Sequence, residues 1–124
     1  LNYYLSTGLF NAFPLPQRET GTRHALRYAG ELVGTGNSLM IFPEGKRTSG
    51  DDVGPFQPGV GMIAERLGVP VIPVRLRGLD AVLGVGQTMA RPGRVLVRFG
   101  PQVHPQGSDH RDMATKLEKM VRDL

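Results

Sequence analysis

The chain contains no cysteine among its 124 residues. Disulfides, thiolate zinc sites and cysteine nucleophiles are therefore excluded, and the absence suits a reducing compartment. No apolar run approaches the ~20 residues a spanning helix needs, and no signal peptide opens the sequence. Aromatic residues make up only 6%. None is interleaved with basic residues along a strand, so a base-stacking platform is missing and no nucleic-acid partner is expected. Repeats and low-complexity tracts are absent as well. The first residues, Leu1-Asn2-Tyr3-Tyr4, include no initiator methionine, and the expectation is a piece of a longer protein.

What remains is the composition of an ordinary globular domain, 40% hydrophobic and 21% charged. At this length one domain over 1–124 is expected, with a real core. The net charge of +4 favours anionic partners, whether phosphorylated small molecules, nucleic acid or an acidic membrane face.

Residues 1–11 read as the end of a helix, and 12–19 as an extended, proline-bearing segment. Ala25, Leu26, Ala29, Leu32 and Val33 recur at helical spacing, which predicts a helix over 21–34 stopped by Gly34 and Gly36. The run 38–42 reads as a buried strand. Pro58 stands at the expected first position of a second helix carrying Val60, Ile63, Ala64 and Leu67, ended by Gly68. Residues 69–76 form a second expected strand. Strand, helix, strand at this spacing predicts a parallel βαβ unit. Pro73 inside that strand argues for an edge or a bulge. A glycine-bearing, apolar connection over 78–93 leads to a third strand at 94–100. The last helix places Met113, Leu117, Met120, Val121 and Leu124 on one face, with Ser108 or Asp109 as its cap.

The stretch after the first expected strand, Pro43-Glu44-Gly45-Lys46-Arg47-Thr48, begins a polar loop that runs to about residue 57. Ligands of open α/β sheets collect beyond the carboxyl ends of strands, and loops of this length in compact domains are usually functional or disordered. Lys46 offers an ammonium and Arg47 a planar guanidinium to a phosphate. Gly45 permits a positive-φ turn. Glu44 can accept from a ligand hydroxyl or pair with an arginine. Read without context, the same residues also make an ordinary surface turn decorated with solvated cations.

Context narrows the choice. The series "SLMIFPEGKRTSG…PFQPGVGMIAERLGVPVIPVRLRG" resembles the glycerolipid (lysophospholipid) acyltransferase family. Residues 42–48, "FPEGKRT", look like the family's Phe-Pro-Glu-Gly-Thr-Arg-Ser block, with Lys46 for the usual threonine and Thr48 for the serine. "VPVIPV" at 69–74 looks like a later block, and "NAFPLPQRE" at 11–19 like the one supplying an upstream arginine, here Arg18. The resemblance implies an open, mostly parallel α/β sheet flanked by helices, glycerol-3-phosphate acyltransferase-like and truncated at its N-terminus.

It also implies O-acyl transfer from acyl-CoA or acyl carrier protein to lysophosphatidate or a related glycerophosphate, in phospholipid biosynthesis, without cofactor or metal. Arg18, Lys46 and Arg47 would hold the phosphate, Glu44, Gly45 and Thr48 would orient the glycerol end, and Val71, Ile72, Pro73 and Val74 would line the acyl path or serve as plain strand core. The family's base is a His-x-x-x-x-Asp block upstream of all these. His24 and His110 lack the spaced acid. His104 with Asp109 has it, but on the wrong side of the glutamate-glycine block, and reads as coincidence. The expectation is that the base lies before Leu1 and that the chain alone is inactive. A cytoplasmic site, peripheral to the inner face of an anionic membrane, follows from the same resemblance. The apolar connection 79–90, with Arg75, Arg77 and Arg91 near it, suits lipid contact or a loop folded over the core. The alternative function is a non-catalytic phosphate- or phospholipid-binding module.

Overall fold

The structure, a computed structural model, describes residues 8, 12, 19–47, 49–105, 107 and 109–124. It divides into two compact units, Leu1–Leu39 and Met40–Leu124.

The described part of the first unit is helix α1, Glu19–Gly34. Its small apolar residues Ala25 and Ala29 are buried. The helix stops where glycine allows a left-handed turn: Gly36 has φ 87 and donates to Val33 O. The last carbonyls are then covered locally. Leu32 O accepts from the Asn37 backbone N–H, from Asn37 Nδ2 and from Thr35 Oγ1.

The second unit holds α2 (Gly59–Leu67), β1 (Val74–Arg77), α3 (Leu79–Leu83), β2 (Leu96–Phe99) and α4 (His110–Asp123). Pro58 caps α2 at its start with helical angles, and Gly68 closes it at φ 61, donating to Ala64 O and Glu65 O. The Asp109 carboxylate caps α4 by accepting from Arg111 N at 3.1 Å. The two helices pack face to face. Ile63 and Ala64 of α2 and Met113, Ala114, Leu117 and Val121 of α4 are all buried. Their approach needs a glycine, since a Cβ on Gly61 would lie 2.1 Å from His110 O. Glu65 and the His110 ring meet beside the same crossing.

The sheet departs from expectation. Among the described residues it is a two-stranded antiparallel hairpin, with Val74 opposite Phe99 and Arg77 opposite Leu96. Residues 38–42 are not a strand, and among the described residues 69–76 have no parallel partner. A strand exists only through its ladder, and this run has none. Met40 and Phe42 stay 78% and 66% exposed. A bulge lies opposite Pro73, its extra residue on the returning chain between Phe99 and Val103. The isolated bridge Val71–Val103 is one residue out of step with the β1–β2 register, and Gly100 N donates to Pro73 O between them.

Two like-charged residues, Arg75 and Arg98, face each other across the hairpin, a pairing that is unfavourable by itself. Both donate to the open end of α4, Arg75 to Arg122 O and Arg98 to Leu124 O. Cations at a helix C-terminus are favoured by its unsatisfied carbonyls, so the hairpin and the helix are joined by what would otherwise repel.

Candidate functional site

Residues 43–57 form a loop closed at its base. Gln57 N donates to Pro43 O at 2.8 Å, and Gly45 N to Phe42 O at 3.3 Å. Glu44 turns inward: its Oε2 accepts from Gly54 N at 2.7 Å across the loop. Gly45 sits at φ 69, left-handed geometry that costs an L-residue roughly 1–2 kcal/mol. That turn sets the exposed Lys46 and Arg47 at one end of the loop.

Arg47, although exposed, is tethered. Its Nη2 donates to Leu83 O at 2.8 Å, and to Gly84 O at 3.4 Å, where α3 ends. The Asp51 carboxylate ties the same loop to the start of α3, accepting from Gly78 N at 2.7 Å, while Asp51 O accepts from Arg75 Nη2. On its other side the loop meets α4, where Phe56 N donates to Glu118 Oε2 at 3.0 Å. That bond, and then Arg122, whose Nε donates to Glu118 Oε1 at 3.0 Å, hold the Glu118 carboxyl below its ordinary value.

The surroundings are basic. Residues 75–98 contain five arginines against the single acid Asp80, a surplus equal to the whole chain's +4. Anions are favoured there before any specific contact is made.

Glu44, Gly45, Lys46 and Arg47 therefore share one braced loop. Arg18 and Thr48 lie outside the described residues. Val74 belongs to the hairpin ladder, Val71 makes the isolated bridge to Val103, Pro73 is buried, and Ile72 is 53% exposed. The braces themselves were not foreseen: Asp51, Gly54, Gly78, Glu118 and the Leu83 and Gly84 carbonyls. Backbone acceptors leave no mark in a sequence, although Gly78, at φ 81, follows its strand as a turn residue would.

Asp109 is used as the α4 cap, and the His104 ring meets Gln102 instead. His110 is paired with Glu65. Among the described residues no cluster of side chains suits a metal ion, and no helix is long and apolar enough to cross a membrane.

A family model described as Acyltransferase matches residues 7–77. The chain is similar to a chloroplastic 1-acyl-sn-glycerol-3-phosphate acyltransferase of Brassica napus, 41% identical over 49% of this chain and 18% of the relative. A chloroplastic protein of the same name from Arabidopsis thaliana is 31% identical over 68% of this chain and 24% of its own length. A probable 1-acyl-sn-glycerol-3-phosphate acyltransferase of Mycoplasma genitalium is 34% identical over 81% of this chain and 41% of its own. The chain thus spans less than half the length of each of these relatives. No solved structure matches it. The family match covers more than half of the chain and includes the whole Pro43–Arg47 turn, and the chain belongs to the acyltransferase family.

Proposed function

We propose that this chain is the acceptor-binding part of an O-acyltransferase acting on lysophosphatidate or a related glycerophosphate in phospholipid biosynthesis. The observation that carries the reading is Arg47, a guanidinium held in place beside Lys46 on the loop that the family match includes. A guanidinium keeps its charge and, with Nη2 on the Leu83 and Gly84 carbonyls, still has Nη1 to give a charge-assisted hydrogen bond to a phosphate oxygen. Lys46 adds a point charge, and Arg18 is the third cation of the set. Gly45 and Thr48 orient the glycerol end, with Glu44 shaping the loop from within. Val71, Ile72, Pro73 and Val74 border the acyl path.

In the reaction a base removes the acceptor's hydroxyl proton, the oxygen attacks the thioester carbonyl, and the C–S bond breaks to release the thiol of acyl-CoA or acyl carrier protein. A positioned base contributes about 10²–10⁴ in rate. This chain's residues supply the step before it, the fixing of the acceptor, and the His-x-x-x-x-Asp base comes from outside them. The open, mostly parallel sheet of the resemblance belongs to the same proposal. So does a cytoplasmic, peripheral position on an anionic membrane face. The surplus of arginines over 75–98 and the exposed Leu79, Val85 and Met89 support it.

The test is Arg47→Ala in the complete enzyme. Charge-assisted hydrogen bonds contribute about 1.5–3 kcal/mol, so KM for the phosphorylated acceptor should rise about 10- to 100-fold. KM for the acyl thioester should stay within about twofold. Equal losses on both substrates would remove the phosphate role. Acyl transfer by the 124-residue chain itself would remove the assignment of the base and bring His104 back into question.

A further inference from the structure

The connection between β1 and β2, residues 78–95, is far longer than the two to five residues of a common hairpin loop. It is nevertheless closely built. Gly78, at φ 81, lies so near the returning chain that a Cβ would stand 2.3 Å from Arg94 O. Arg91 N donates to Val82 O at 2.7 Å, and a Cβ on Gly93 would stand 2.8 Å from Val82 Cγ2. The turn after α3 is clipped twice by Gln87: its backbone N–H donates to Gly84 O, and its Oε1 accepts from Gly84 N. This bracing fixes where the Leu83 and Gly84 carbonyls stand, and these are the acceptors that Arg47 uses.

A guanidinium has five donors in a plane. Those of Nη2 are engaged by α3, and among the described residues Nε and Nη1 make no hydrogen bond. We propose that the 78–95 connection is the positioning element of Arg47: it holds Nη2 through the Leu83 and Gly84 carbonyls and leaves the charged group's Nη1 to donate to the acceptor's phosphate. The inference rests on the phosphate role of Arg47 given above. Ordering a rotamer-rich side chain before the ligand arrives removes that cost from binding. Gly93 and Gln87 are then positioning residues. Neither touches the phosphate, and each acts by holding the turn that holds Arg47.

The experiment uses Gly93→Ala, whose methyl must push Val82 and α3 aside, and the double variant V82A/G93A, which restores the space. Side-chain ¹⁵N NMR without ligand should show slow Cζ–Nη2 rotation for Arg47 in the wild-type chain, its loss in G93A and its return in the double variant. In a titration with glycerol 3-phosphate, G93A should bind about three- to tenfold more weakly, the effect of leaving one rotamer-rich side chain unordered. The double variant should bind within about twofold of wild type. Gln87→Ala, which removes the side-chain clip, should repeat the G93A result and serves if G93A fails to fold.

Arg47 resonances unchanged in G93A and Q87A would overturn the positioning role, whatever the phosphate affinity. If Arg47→Gln abolishes glycerol 3-phosphate binding while G93A and Q87A leave it intact, the positioning role falls and the phosphate role stands. If the wild-type and R47Q chains show the same titration, the phosphate role falls and the positioning role falls with it.

Discussion

Between α2 and α4 the buried contact consists of apolar side chains, Ile63 and Ala64 against Met113, Ala114, Leu117 and Val121, with the exposed Glu65–His110 pair at its edge. Along 43–57, a few residues away, the chain is held by directed bonds from Glu44, Arg47, Asp51 and Glu118, each to a backbone group. Apolar packing is proportional to area and sensitive to volume, but indifferent to direction. A hydrogen bond is worth little net, and its geometry is narrow. The helical layer therefore supplies stability, and the loop supplies the placement of two cations. A substitution in one should leave the other's observable almost unchanged, which makes the division open to test.

The largest effect is expected in the layer. Leu117 is 3% exposed, and Leu117→Ala should reduce unfolding free energy by about 2–5 kcal/mol through lost burial and the cavity left behind. Chemical denaturation measures it. Under conditions where that variant is folded, its affinity for glycerol 3-phosphate should match wild type. A parallel loss of affinity would show that the layer and the loop are one cooperative unit. Glu44→Ala should give the converse result. It leaves Gly54 N without its acceptor, a loss of about 1–3 kcal/mol, in a loop whose opening need not unfold the helices. Faster hydrogen exchange at Gly45 and Gly54 with little change at Leu117 would sharpen the comparison. Uniformly faster exchange would break it.

The same division explains what could be read in advance. Helices α1, α2 and α4 were legible because their information is local: apolar residues at helical spacing, Pro58 and Asp109 at the starts, Gly36 and Gly68 after the ends, whereas α3, five residues inside what read as a connection, was not. Pro73 announced an interruption of the ladder because it has no N–H to give, although the extra residue stands on the returning chain opposite it. The run 38–42 misled because a buried strand and an unpaired apolar segment have the same composition, and only a partner elsewhere distinguishes them. Apolar residues at 94–100 suggested a strand but not its direction, and the antiparallel return is set by the 78–95 connection. The site shows the same limit. Glu44 through Arg47 were legible by residue type, but their anchors were not, because a guanidinium on the carbonyl of Leu83 would be equally well placed on the carbonyl of any residue there.

The smallest predicted effect lies where the two regions touch, at Glu118, and its sign can be worked out. Its carboxyl titrates below the ordinary value of 4.5 in the folded chain because the Phe56 N–H, and then Arg122, favour the charged form. The folded state thus binds this proton less readily than the unfolded state. The stabilisation is complete above about pH 4.5 and is lost as pH falls from there through the lower folded-state value. Glu118→Gln keeps an oxygen for Phe56 N but has no charge to lose. The difference in unfolding free energy between wild type and Glu118→Gln should be constant above about pH 5.5 and shrink toward acid. Taking the difference cancels whatever the rest of the chain contributes to the pH dependence. A difference that stays flat down to about pH 3 would mean that the loop does not distinguish the two forms of Glu118. The brace between loop and helix would then be packing after all, and the division drawn here would have to move to the other side of Phe56.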